Sequence, residues 1–88
     1  MKEKYYLIPE YDTRQSFYNK AVVERENNTL KLYSYNVLVA EINKNKEVVV
    51  YGTYSDTTLR HIKEFLKQNG FKAENKQQII KDYIKEVL

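Results

Sequence analysis

The stretch from Val48 to Phe71, VVVYGTYSDTTLRHIKEFLKQNGF, constrains the fold more than any other, because strand, turn, helix cap, helix and helix stop follow without interruption. Ser55 or Asp56 can cap a helix whose apolar residues Leu59, Ile62, Phe65 and Leu66 form one stripe at the helical period. Gly70 ends it, since glycine takes the left-handed C′ position readily and Phe71 can fold back onto the last turn. A second helix begins with Asn75 as cap and Gln78 three residues on, close to a capping box. It presents Ile80, Tyr83, Ile84 and Val87 on one side, and the two helices together occupy 56–88.

Upstream, residues 21–53 read as a β-meander of four strands, AVVERE, TLKLYS, LVAEI and VVVYGT, separated by turn-forming asparagines. A two-residue turn at Asn27-Asn28 pairs Glu24 with Lys31 and Val23 with Leu32. A three-residue loop, Tyr35-Asn36-Val37, pairs Leu30 with Ile42, Leu32 with Ala40 and Lys31 with Glu41, whereas a two-residue loop would set Leu30 against Glu41; the three-residue loop is preferred. The inner face then holds Ala21, Val23, Leu30, Leu32, Leu38, Ala40 and Ile42. The outer face holds the Glu24, Lys31, Glu41 ladder beside Val22, Tyr33 and Val39. In the last strand either Val48 and Val50 or Val49 and Tyr51 face inward.

Residues 1–20 form an arm and loop. Its run YYLI before Pro9 is either an edge strand or a cover for the sheet, and Tyr11, Phe17 and Tyr18 are candidate anchors in the loop that follows. The expected fold is therefore α+β: an antiparallel four-stranded meander followed by two helices on one face, ββββαα, with a further N-terminal strand if the arm pairs. Eighty-eight residues suffice for one domain with one modest core. The chain lacks cysteine, which excludes disulfides and cysteine zinc sites and fits a reducing, cytoplasmic setting. The start MKEKYYLIPEYD lacks the apolar centre of a signal peptide, and no stretch reaches membrane-spanning length.

Ser55, Asp56, His61 and Glu64 are the one local group with acid-base character, His61 and Glu64 lying a helical turn apart. No glycine-rich elbow surrounds the serine, Ser55 and Asp56 are accounted for as cap residues, and His61 reads as a surface or boundary histidine. No enzymatic activity is expected. Gly52 and Gly70 stand apart and form no phosphate-binding loop, so no cofactor is expected either.

Two surfaces remain. Net charge is +3, and residues 57–88 hold seven Lys or Arg against four Asp or Glu, while residues 1–56 balance. Arg60, Lys63 and Lys67 lie opposite the apolar stripe and Lys72 follows, a candidate phosphate-facing edge in which Glu64 lowers the field; a merely solvating face is the simpler account. The outer sheet face, with Val22, Tyr33 and Val39 and Tyr35 at the adjacent turn, is a candidate protein contact, since tyrosine favours interfaces and an RNA-binding sheet would carry a motif missing here.

The strings YDTRQSFYNKA, LYSYNVLVAEI and YGTYSDTTLRHIKEFLKQNGF resemble a family of small uncharacterised proteins from phages, plasmids and integrative elements of low-GC Gram-positive bacteria. The resemblance implies a mobile-element accessory protein made inside a bacterial cell. The leading expectation is a non-enzymatic interaction protein that binds a host or phage protein, by analogy with inhibitors of host defence of the anti-CRISPR kind. The alternative is a DNA- or RNA-binding accessory protein using Arg60, Lys63, Lys67 and Lys72, and a homodimer through exposed sheet edges is compatible with both.

Overall fold

The computed structural model describes residues 2–52 and 55–84. Its strands are β1 (Glu3–Tyr6), β2 (Ala21–Glu26), β3 (Thr29–Ser34), β4 (Val37–Ile42) and β5 (Val48–Val50), followed by helices α1 (Asp56–Gln68) and α2 (Lys76–Tyr83). The strands form one antiparallel sheet in sequence order, so the α+β meander with two following helices holds. The N-terminal run joins the sheet as edge strand β1 instead of covering its face, with Tyr5 opposite Val23 and Tyr6 opposite Val22.

Turn chemistry explains the register. Asn27 and Asn28 both have positive φ (53° and 64°), as a two-residue hairpin turn matched to strand twist requires, and Glu24 meets Lys31 and Val23 meets Leu32. At the β3–β4 connection Leu30 meets Ile42, Lys31 meets Glu41 and Leu32 meets Ala40, as expected, but the route differs. Tyr35 and Asn36 form a two-residue turn with positive φ at both residues (51° and 68°), and the added residue appears as a β-bulge where the partner of Tyr33 becomes Leu38. A bulge sets two consecutive side chains against one partner. Val39 is consequently buried beside Ala40, and Leu38 lies opposite Tyr33 instead of in the inner row. In β5 the alternation resolves as Val50 buried and Val48 packed against the core, while Tyr51 is exposed; Thr53, the end of the expected strand, lies outside the described residues.

The inner face and α1 enclose the core, in which Val23, Leu32, Ala40, Val50, Ile62, Phe65 and Leu66 are almost completely removed from water. Burying each of the larger apolar side chains contributes about 2 kcal/mol. The Ser55 hydroxyl accepts the Thr58 N–H and caps α1. At the other end the Phe71 N–H donates to the Leu66 carbonyl and the Gly70 N–H to the Lys67 carbonyl, with Gly70 at φ 84°. This paired closure is the Schellman arrangement that Gly70 permits.

The second helix begins as the sequence reading has it, capped by Asn75, and departs from that reading at its C-terminal end. Asn75 Oδ1 accepts the Gln78 N–H, but Gln78 Oε1 reaches back to the Glu74 N–H, one residue before the cap. The buried residue is Ile79, with Ile80 half-buried. The helix ends at Tyr83, and Ile84 is extended and forms a parallel bridge with Val50, so the expected continuation of helix to 88 fails at Ile84. Val87 lies outside the described residues.

Candidate functional site

The arm between β1 and β2 crosses the flank of α1, and its lack of regular structure raises the question of where its backbone amides are satisfied. Glu64 supplies the answer. Its carboxylate accepts the N–H groups of Glu10, Tyr11 and Asp12 at 2.9 to 3.2 Å and the side-chain amide of Gln68 at 2.6 Å. Gln68 also donates to the Ile8 carbonyl. Glu64 is therefore buried, 1% exposed, and fastens the arm to the helix in place of pairing with His61.

His61 is likewise buried, a correction to its reading as a surface or boundary residue. Its Nδ1 lies 2.8 Å from Ser34 Oγ, which is 3.0 Å from Thr58 Oγ1, and the Phe17 ring stands edge-on to the imidazole at 4.6 Å. Burial holds the imidazole pKa below its ordinary value; the Asp12 charge opposes this shift and the Arg14 charge adds to it. Of the arm residues read as anchors only Phe17 is buried, whereas Tyr11 and Tyr18 are exposed. Ser55, Asp56, His61 and Glu64 thus share one helix and its cap but are committed to separate roles: a cap, a first turn, a hydroxyl network and the fastening of the arm. Among the described residues every buried side-chain nitrogen and oxygen has a partner, and no cluster of His, Cys, Asp and Glu is arranged to hold a metal ion.

The basic residues divide. Arg60, Lys63 and Lys67 line one open groove of about 400 Å3 between α1 and the arm, as their spacing predicts, but Asp12, Asp56 and Glu64 line it too. Arg60 is joined to Asp12 at 2.8 Å. For Asp12 desolvation acts to raise the pKa, yet the Arg14 N–H and the Arg60 guanidinium outweigh it and the net shift is downward. Lys72 is not part of this groove: it lies beyond the helix stop, 3.9 Å from Glu74, with its carbonyl accepting the Tyr83 hydroxyl.

The sheet's outer face is the second surface. Register places Tyr6, Val22, Tyr33 and Leu38 in one row across four strands, next to a charged row of Lys4, Glu24, Lys31 and Glu41. Lys2 and Lys4 reach Glu24 at 3.5 and 3.9 Å, and Lys31 reaches Glu41 at 4.0 Å. A shallow recess of about 560 Å3 opens here, lined by Tyr6, Val22 and Tyr33 together with Lys4 and Glu24.

Of the residues expected on or beside this face, Val39 does not belong to it, and Tyr35 lies at the turn as expected but away from the row. Val39 is 1% exposed because the bulge turns it inward. Tyr35 is exposed, but its ring lies 5.8 Å from that of His61, at the end of the sheet beside Arg14 and Lys20. Val22 and Tyr33 remain, joined by Tyr6 and Leu38, which sequence reasoning left out. Pairing of the arm was the signal for Tyr6, since strand β1 continues the row begun by Tyr33 and Val22.

Among the described residues no helix is long and apolar enough to cross a membrane. No curated protein and no solved structure matches the chain significantly. The pattern of a family of unknown function, DUF8033, matches residues 5–82, from the middle of β1 to the last turn of α2, and the chain belongs to that family.

Proposed function

We propose that this chain is a non-enzymatic interaction protein that binds a protein partner on the outer face of its sheet. The observation that carries the reading is the row Tyr6, Val22, Tyr33 and Leu38, which no other described element covers. Tyrosine and leucine left half in water return to the fold only part of what their burial would contribute, while aromatic side chains with a charged border are the composition of a contact surface. The flanking Lys4, Glu24, Lys31 and Glu41 alternate in sign, so the matching partner surface is an apolar strip with mixed charge beside it and not a strongly acidic or basic one. From the resemblance to mobile-element proteins the partner is a host or phage protein inside a bacterial cell, and an inhibitor of a host defence enzyme is the form of activity such a surface serves.

The alternative, nucleic acid held by Arg60, Lys63, Lys67 and Lys72, has less support. Arg60 is already engaged by Asp12, three carboxylates share the groove, and Lys72 lies apart. Capture from host lysate with and without nuclease separates the two. Retention of one protein after nuclease, lost with Tyr33→Glu while the fold is kept, supports the sheet face. Loss of all partners with nuclease, and affinity that falls steeply with salt, would replace it with the phosphate-binding reading.

A further inference from the structure

The two edges of the sheet are not alike. Strand β5 has its free side occupied where Val50 pairs with Ile84, whereas no described element lies beyond β1. The Leu7 N–H donates to the Ala21 carbonyl at 2.8 Å, so by the alternation of an antiparallel ladder Glu3, Tyr5 and Leu7 bond to β2 and the amides of Lys4 and Tyr6 point away from the sheet. This edge carries no proline or bulge, and all four of its residues, Glu3–Tyr6, are exposed. Its lysine, the usual guard of such an edge, has its charge directed to Glu24 on the sheet face. Tyr5 and Tyr6, 41% and 54% exposed, complete an edge that invites another strand.

We infer that β1 pairs antiparallel with β1 of a second copy about a two-fold axis at Tyr5, joining two sheets into one of ten strands. The occupant follows from self-complementarity. Outward-pointing residues must face each other, which leaves axes at Lys4, Tyr5 or Tyr6. An axis at Lys4 opposes two lysines. An axis at Tyr6 would draw Ile8 into the ladder, but the Ile8 carbonyl is held by Gln68 and the following Glu10 N–H by Glu64, so the chain has already turned onto α1. The Tyr5 axis uses only strand residues. It pairs Lys4 with Tyr6 of the second copy twice, setting each ammonium beside a tyrosine ring, and exchanges the four outward backbone groups of each strand. It also brings the row of Tyr6, Val22, Tyr33 and Leu38 of each copy into line with the charged row of Lys4, Glu24, Lys31 and Glu41 of the other, on one shared face that leaves both apolar rows uncovered. The shared edge is short, so association is of the weak, concentration-dependent class.

The absence of native cysteine makes the test clean. At the proposed axis the two Tyr5 Cα atoms stand about 4.5 Å apart, within disulfide reach, while those of the two Tyr6 residues stand about 8 Å apart, beyond it. Under mild oxidation Tyr5→Cys should therefore cross-link at least about tenfold more than Tyr6→Cys. Sedimentation of the unmodified chain should show dimer growing with concentration, and Tyr5→Glu, a change at an exposed residue, should sediment as monomer with its melting temperature retained. A chain monomeric at every concentration overturns the inference. So does a dimer that survives Tyr5→Glu, or one in which Tyr6→Cys cross-links as well as Tyr5→Cys.

Discussion

Under the N-terminal arm this protein buries a carboxylate, an imidazole and two hydroxyls, while on the outer face of its sheet it leaves two tyrosines, a valine and a leucine only partly covered. In the first region each polar group has a specific partner, and those partners belong to other parts of the fold: Glu64 to the arm, His61 and Thr58 to Ser34 on β3. In the second, the apolar side chains touch their neighbours in the row and nothing above it. Buried polarity that is fully satisfied is explained by folding alone. Exposed apolarity is not. The contrast accounts for the arm as architecture and is the ground for proposing the sheet face as the contact surface, against the habit of seeking function where the titratable groups are.

The largest effect should come from Glu64. In Glu64→Ala the partly buried amides of Glu10, Tyr11 and Asp12 lose their acceptor together, at a cost of about 4 kcal/mol. Denaturant unfolding measures this. A loss below about 1 kcal/mol would mean that water replaces the carboxylate and that the arm is not structurally fastened. Next in size is a paired test of the bulge: Val39→Ala should cost about 2 kcal/mol, and Leu38→Ala less than half of that, because Val39 is in the core and Leu38 is on the open face. Equal losses would show the bulge to be misplaced.

These two predictions fall where sequence and structure part company. The pairs Glu24 with Lys31 and Leu32 with Ala40 were legible because asparagine pairs announce turns and because wrong registers oppose apolar to charged residues. A three-residue loop and a two-residue turn followed by a bulge give the same register for Leu30 to Leu32, so correct pairs concealed the exchange of Leu38 and Val39. A bulge has no composition of its own. Glu64 was illegible for another reason: a glutamate on a helix reads as solvated, and its partners are backbone amides more than fifty residues away, which no side-chain pattern encodes. The accessible clue was the arm itself. A loop from Ile8 to Tyr18 without regular structure must place its N–H groups somewhere, and α1 was the neighbouring element with polar side chains to offer. For the candidate site, Val22 and Tyr33 were readable from alternation, Tyr6 required knowing that the arm pairs, and Tyr35, readable as a turn residue, lies apart from the row because a turn residue belongs to neither face.

A third prediction concerns pH. Because burial lowers the pKa of His61, the unfolded chain, whose histidine titrates near 6.5, takes up a proton that the folded chain resists. The stability this provides is complete above that ordinary pKa and is lost as pH falls toward the lowered one, with a slope of at most about 1.4 kcal/mol per pH unit. Asp12 titrates lower still and does not enter this window. His61→Gln, which keeps a polar group near Ser34, should flatten the stability profile between neutral pH and pH 5, as urea midpoints at a series of pH values would reveal. A slope unchanged by the substitution would place the source elsewhere.

The smallest stability effect is expected at Tyr33. Its ring packs on one side against Val22 and Leu38 in the row and is open on the other, so replacement by threonine removes area that folding only half covers. Threonine, being β-branched, also favours a strand, which offsets part of that loss. The net change in unfolding free energy for Tyr33→Thr should stay within about 1 kcal/mol, far below that of Glu64→Ala. The same substitution should nevertheless weaken partner capture more than any change under the arm that leaves the chain folded, because a central aromatic is the kind of residue on which binding energy concentrates. If Tyr33→Thr costs as much stability as Val39→Ala, then the row is a core that something within this chain covers, and the division between an architectural flank and a functional face fails at its own centre.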